Sequence, residues 1–122
     1  MATIMIIDDD PEIRQLLVAL VEKLGHEALA APSATDAWNM LDKKPQAIFA
    51  DIDMGQESGV TFVSRLREHP IGKRVPVTFV TAYPERAAPL IAAGVGVVDV
   101  IRKPFRIELI QVRLEQMLTM PS

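Results

Sequence analysis

Thr3-Ile4-Met5-Ile6-Ile7-Asp8-Asp9-Asp10-Pro11 is a short, uninterrupted apolar run that ends in three acids. A run of this length without polar alternation reads as a strand buried on both faces, the signature of a parallel sheet. The device recurs along the chain. Ala47-Ile48-Phe49-Ala50 ends in Asp51, Val77 to Val80 ends in Thr81-Ala82, and Val97 to Ile101 ends in Arg102-Lys103-Pro104-Phe105. In an open α/β sheet the carboxyl ends of the strands are where ligands bind. Carboxylates, a hydroxyl and a lysine therefore converge on one edge, a site able to hold a divalent cation and an anion together.

Helical patterns separate these runs. Asp10-Pro11 supplies an N-cap and a proline at the first helical position. Ile13, Leu16, Leu17, Leu20, Val21 and Leu24 then form one apolar stripe, closed by Gly25. A weak strand is expected over Glu27 to Ala31. Ser33 caps a second helix to about Leu41, with Ala34, Ala37, Trp38 and Leu41 inward. The third strand covers Ala47 to Asp51, a loop runs through Gly59, and a third helix from about Val60 to Glu68 buries Phe62, Val63 and Leu66. A fourth strand, Val75 to Val80, leads to a short helix between Pro84 and Ala93. Pro89 would clash inside an established helix, so this one is expected to start late, be kinked, or be mobile. A last strand, Val97 to Ile101, and a helix from about Arg106 to Leu118 complete the alternation.

Five strand–helix units predict a doubly wound parallel sheet, because short crossovers are right-handed. The flavodoxin-like strand order 2-1-3-4-5 sets the ends of the first and third strands side by side, bringing Asp8, Asp9 and Asp51 together. At 122 residues the chain is read as one domain over residues 1–122. It is 49% hydrophobic and 24% charged, an ordinary globular composition. A net charge of −3 argues against a nucleic-acid surface, which would be basic. The chain has no cysteine, which excludes disulfides and thiol chemistry and fits a cytoplasmic setting. No window approaches the ~20 apolar residues of a membrane span.

Clustered carboxylates repel one another unless a cation sits among them. Mg2+ suits this site, since it takes hard oxygen ligands from one or two carboxylates and completes its shell with water and phosphate. Asp51 is then placed to act as a nucleophile toward phosphorus, giving an aspartyl phosphate. Lys103 would neutralise the developing charge and Thr81 would donate a hydrogen bond.

The chain resembles the receiver domain of two-component response regulators over essentially its whole length. The matching pieces are Ile6-Ile7-Asp8-Asp9-Asp10, Phe49-Ala50-Asp51-Ile52-Asp53-Met54 with Gly59 eight residues past Asp51, Val80-Thr81-Ala82, and Lys103-Pro104-Phe105. Each is a weak pattern, but in this order and at these intervals they are specific. The resemblance implies Asp51 as phosphoacceptor, Asp9 as a direct Mg2+ ligand, and Asp8 holding the metal partly through water. It also implies the backbone carbonyl of Asp53 as a further ligand, Thr81 and Lys103 on the phosphoryl group, and a cis Lys103–Pro104 bond. Asp10 reads better as a helix cap than as a ligand, Trp38 as packing, and His26 and His69 as solvated loop residues rather than phosphorelay histidines.

Two departures bear on signalling. Receiver domains usually carry an aromatic three positions before the lysine, where this chain has Val100. A branched aliphatic lacks the corresponding rotamer switch, and Tyr83 is a substitute only by a different motion. At the phosphoacceptor loop, Gly55 stands where proline is common and loosens the Met54 to Gly59 segment. Asp53 adds a carboxylate at the pocket mouth, where, with Ala82 and Tyr83, it is expected to tune phosphoryl lifetime.

The reading that follows is a phosphorylation-controlled switch. Its donor is a histidine kinase or histidine phosphotransferase, and its output a downstream protein partner or a fused output domain. No enzyme activity is expected beyond self-phosphorylation from small donors and self-dephosphorylation. Nothing after the last helix is left for an output module, so the chain is either a stand-alone receiver or part of a longer regulator or hybrid kinase, and Thr119 to Ser122 is either a frayed end or a trimmed linker. Three alternatives compete. A Mg2+-dependent phosphohydrolase would need a cap for which no chain is left. An FMN carrier is opposed by three aspartates in its phosphate loop. A pseudo-receiver serving as a dimerisation or interaction module is opposed by the five site side chains, though Val100 leaves it room. The last helix carries Ile107, Leu109, Ile110, Val112, Leu114, Met117 and Leu118, more apolar positions than one stripe needs, so a homodimer or partner face is expected there, to be probed with Ile110→Glu or Val112→Glu.

Overall fold

The structure is a computed structural model that describes residues 1–55 and 57–120. Its strands are β1 (Thr3–Ile7), β2 (Glu27–Ala31), β3 (Ala47–Ala50), β4 (Val77–Thr81) and β5 (Val97–Arg102). They form one parallel sheet in the spatial order β2-β1-β3-β4-β5, the flavodoxin-like order expected of the alternation. Five helices cover it: α1 (Pro11–Lys23), α2 (Ala34–Met40), α3 (Gly59–Leu66), α4 (Ala88–Ala93) and α5 (Ile107–Thr119). β1, β3 and β4 are buried at nearly every position, as continuous apolar runs demand when both sheet faces are covered.

Alternation along the strands divides the core in two. Met5, Ile7, Ile48, Ala50 and Phe79 point toward α2, α3 and α4, while Ile4, Ile6, Phe49, Val80 and Ile101 point toward α1 and α5. Trp38 packs in the first layer, its ring centroid 5.0 Å from that of Phe62.

Several expectations need correction. In α1 the buried residues are Leu17, Leu20 and Val21, whereas Leu16 is exposed. Leu16 lies about 100° round the helix from Leu17 and about 140° from Val21, at the outer edge of the stripe. His26 and His69 are half-buried rather than solvated. His26 Nδ1 accepts from the Ala2 amide at 3.0 Å, and His69 Nδ1 accepts from the Ile71 amide at 3.1 Å. β4 begins at Val77, after Pro76, and not at Val75. In α5, Ile110 is fully buried with Leu114 and Met117, so Ile110→Glu is no surface probe. Ile107, Leu109 and Val112 are the exposed members. The helix runs through Thr119, and Pro121 and Ser122 of the expected tail lie outside the described residues.

The segment after β3 is also more ordered than a plain loop. Asp53–Met54 pairs antiparallel with Glu57–Ser58, turning at Gly55 with φ +74°; Gln56 lies outside the described residues. The late start of the fourth helix is observed. A 3-10 turn, Pro84–Ala87, precedes α4, and Pro89 falls in the first helical turn, where its missing donor costs nothing. After α3, Arg67 donates to the carbonyls of Gly72 (2.9 Å), Val75 (2.6 Å), Val95 and Gly96 (3.1 Å), tying the α3 exit to the start of β5. Among the described residues no helix is long and apolar enough to cross a membrane.

Candidate functional site

Parallel register assembles the site. Ile7 pairs with Ala50, and the Asp51 amide donates to the Ile7 carbonyl at 2.9 Å, so Asp8 and Asp51 leave the sheet side by side. Thr81 pairs with Arg102 at the far end of β4, and the Lys103 amide donates to the Thr81 carbonyl at 2.9 Å. Every one of these residues is at a strand's carboxyl end, the edge expected from the sequence.

Asp8, Asp9 and Asp51 each offer a carboxylate oxygen, all within 4.8 Å of one another. Asp8 and Asp51 are buried and Asp9 is exposed. Lys103 Nζ donates to Asp8 Oδ2 at 2.8 Å and to Asp51 Oδ2 at 3.0 Å. Burial pushes the Asp8 carboxyl above its ordinary value and the charge of Asp51 adds to this, against the opposing hydrogen bonds from Lys103 and the Asp10 amide. Burial alone would lower the Lys103 ammonium, but its hydrogen bonds and charge pairing with Asp8 and Asp51 outweigh burial and raise it.

Three carboxylates against one ammonium leave the cluster short of positive charge, and every free donor there is a hard oxygen. That set fits Mg2+, and it does not fit an anion such as the phosphate of FMN. Asp10 is not part of it: its side chain caps α1 by accepting from the Glu12 amide at 2.9 Å.

Around the acids, Asp53 donates its amide to Asp51 Oδ1 at 3.2 Å, and its own carboxylate meets Arg86 at 3.2 Å. Thr81 is fully buried and its Oγ1 accepts from the Tyr83 amide at 3.1 Å, while Ala82 and Tyr83 are exposed at the rim. Gly59 donates to the Ile52 carbonyl at 2.7 Å, and a Cβ there would collide with the Asp51 carbonyl oxygen, so the close approach requires glycine. Lys103–Pro104 is cis. Val100, half-buried, packs into the layer under α2, α3 and α4.

Two residues carry parts that sequence reasoning passed over. Glu57 reaches from the hairpin to cap α2, accepting from the amides of Ala34 and Thr35, the latter at 3.2 Å. Arg86 spans the site mouth to Asp53. Neither shows a periodic or motif signal, since each depends on a partner more than twenty positions away.

The sequence matches the family described as the response regulator receiver domain over residues 4–115. The uncharacterized 14.6 kDa protein in the sodA1 3′ region of Leptolyngbya boryana is 32% identical over 120 residues, covering 97% of this chain and 92% of that protein. The phosphate regulon transcriptional regulatory protein PhoB of Pseudomonas aeruginosa is 31% identical over 95% of this chain and 51% of its own length. The chemotaxis response regulator CheY4 of Vibrio cholerae superposes with a TM-score of 0.85 at 25% identity, covering 97% of this chain and 99% of that one. The sheet order, the acid cluster and the matched span thus agree, and the chain belongs to the response regulator receiver domain family of two-component systems.

Proposed function

We propose that this chain, as one domain over residues 1–122, is a signalling switch in which Asp51 accepts a phosphoryl group from a histidine kinase or histidine phosphotransferase. The observation that carries the reading is the convergence of the Asp51 carboxylate with Lys103 Nζ, 3.0 Å away, and with the Asp8 and Asp9 carboxylates. In the transfer, an Asp51 oxygen bonds to phosphorus as the donor's N–P bond breaks and its electron pair stays on the imidazole nitrogen. Lys103 and the Thr81 hydroxyl donate to the phosphoryl oxygens, where charge-assisted hydrogen bonds are strongest. Asp8, Asp9, Asp51 and the Asp53 backbone carbonyl would hold Mg2+, which would supply the positive charge that a phosphoryl group needs to approach an acidic pocket.

The new dianion draws Lys103 and Thr81 toward itself and biases the surrounding loops between two arrangements. Ala82 and Tyr83, next to Thr81, receive that change first. A downstream protein partner, or a fused output domain in a longer chain, reads it in the cytoplasm. No direct nucleic-acid contact by this domain and no membrane contact are assigned, and a homodimer through the exposed α5 residues is one form of output. The Val100 position, with no aromatic to swing, favours one second reading, a pseudo-receiver that works by surface contact alone.

Intact mass after incubation with acetyl phosphate and Mg2+ separates the two. A gain of about 80 Da, one phosphoryl group, in the wild type and not in Asp51→Asn supports the switch; no gain in folded, Mg2+-binding wild type supports the pseudo-receiver.

A further inference from the structure

Arg86 and Asp53 are joined across the mouth of the site. The Asp53 amide donates to Asp51 Oδ1 at 3.2 Å, which fixes the Asp53 backbone against the phosphoacceptor carboxylate and roots its side chain at the site. Arg86 Nη1 meets Asp53 Oδ2 at 3.2 Å, and its guanidinium carbon lies 4.3 Å from the centroid of the Tyr83 ring. Arg86 is held in place by the 3-10 turn that Pro84 opens, with its amide donating to the Tyr83 carbonyl at 3.1 Å. The Tyr83 amide in turn donates to Thr81 Oγ1. A continuous set of contacts therefore links the loop after Asp51 to the loop after Thr81. The side chains of Arg86 and Asp53 are 52% and 41% exposed, and so open an ion pair adds little to stability. What the contact does is place a carboxylate.

Resting on Asp51 as the phosphoacceptor, we infer that Arg86 is a positioning residue that lengthens the life of the aspartyl phosphate by engaging the Asp53 carboxylate. In hydrolysis a water oxygen bonds to phosphorus, and the bond from phosphorus to the Asp51 oxygen breaks with its electron pair returning to the carboxylate. The water's proton passes to a nearby acceptor and then to solvent, and inorganic phosphate leaves. A carboxylate two residues from Asp51 is an acceptor well sited to orient that water. Paired to Arg86, which itself stacks on Tyr83, it has one oxygen engaged by the guanidinium and its charge partly neutralised, so it is a poorer acceptor for the water. Released, it serves as the orienting base.

The test follows decay of the phosphorylated protein by intact mass after removal of acetyl phosphate, in wild type, Arg86→Ala, Arg86→Lys, Asp53→Asn and the Arg86→Ala/Asp53→Asn pair. Arg86→Ala is expected to decay about threefold to tenfold faster than wild type, a small share of the ~10²–10⁴ available to a fixed general base. Arg86→Lys, which keeps a cation near Asp53, recovers most of the lifetime. In the Asp53→Asn background Arg86→Ala has no further effect, and its Tm matches that of wild type. Unchanged or slower decay in Arg86→Ala overturns the inference. So does equal acceleration in the Asp53→Asn background, or acceleration that tracks a fall in Tm. Wild type that takes up no phosphoryl group overturns the phosphoacceptor reading and this inference with it.

Discussion

Lys103 Nζ stands 3.0 Å from Asp51 Oδ2, although the two residues are 52 positions apart in the chain. The same ammonium donates to Asp8 Oδ2 at 2.8 Å, so one lysine bridges the acids at the ends of β1 and β3. All three side chains are at least four-fifths buried, with 16%, 9% and 2% exposure for Lys103, Asp51 and Asp8. A pair so placed contributes far more by its removal than an exposed one.

Lys103→Ala leaves two buried carboxylates facing each other. Denaturant unfolding in the presence of a chelator is expected to show a loss of about 3 kcal/mol, the scale of an uncompensated buried charge. Phosphoryl uptake from acetyl phosphate falls by about 10²-fold, as for the loss of one preorganised donor at a developing charge.

Asp8→Asn has the opposite sign on stability. Burial raises the Asp8 pKa in the folded chain, so folding disfavours its ionised form; the stability linked to it is present below the ordinary carboxylate value of 3.8 and lost as pH rises through the folded value. An uncharged isostere avoids that loss at neutral pH. Metal-free Asp8→Asn is expected to be more stable than metal-free wild type at neutral pH. Mg2+ is expected to raise the Tm of wild type and not that of the variant, which differential scanning calorimetry with and without the ion would read.

Glu57→Ala removes the acceptor shared by the Ala34 and Thr35 amides at the start of α2. A cost of about 1 kcal/mol is expected, that of a lost helix cap. Hydrogen exchange at those two amides should speed up while exchange in β1 and β3 stays unchanged.

Ile110→Glu and Val112→Glu separate core from surface on α5. Ile110 is 0% exposed and Val112 is 52% exposed. Burying a carboxylate at Ile110 is expected to cost more than about 4 kcal/mol and to abolish folding, whereas Val112→Glu stays within about 0.5 kcal/mol of wild type. Light scattering on Val112→Glu is therefore the clean measure of whether this face holds two copies together; a mass unchanged from a dimeric wild type would exclude it.

Most of the fold was legible because its causes are local. Uninterrupted apolar runs such as Ile4 to Ile7 and Ala47 to Ala50 suit only strands covered on both faces, and Asp10-Pro11 and Ser33 mark helix starts by the hydrogen bonds they make within three residues. Leu16 was misplaced because an apolar residue beside a stripe carries the same composition signal as one within it. His26 and His69 were misjudged because a ring nitrogen finds its partner only when another segment folds against it, or when a turn closes.

The amino-acid order by itself determined the parallel sheet, its strand order, and the convergence of Asp8, Asp9, Asp51, Thr81 and Lys103 on one edge. Strand ends are set by neighbouring residues, and the handedness of short crossovers leaves few ways to arrange them. Tertiary structure alone decided that Lys103 bridges two acids, that Glu57 caps α2, that Arg67 gathers four carbonyls, and that Arg86 takes hold of Asp53. Each of those is a contact between long side chains and distant backbone or charge, and its geometry exists only once the sheet has brought the segments together.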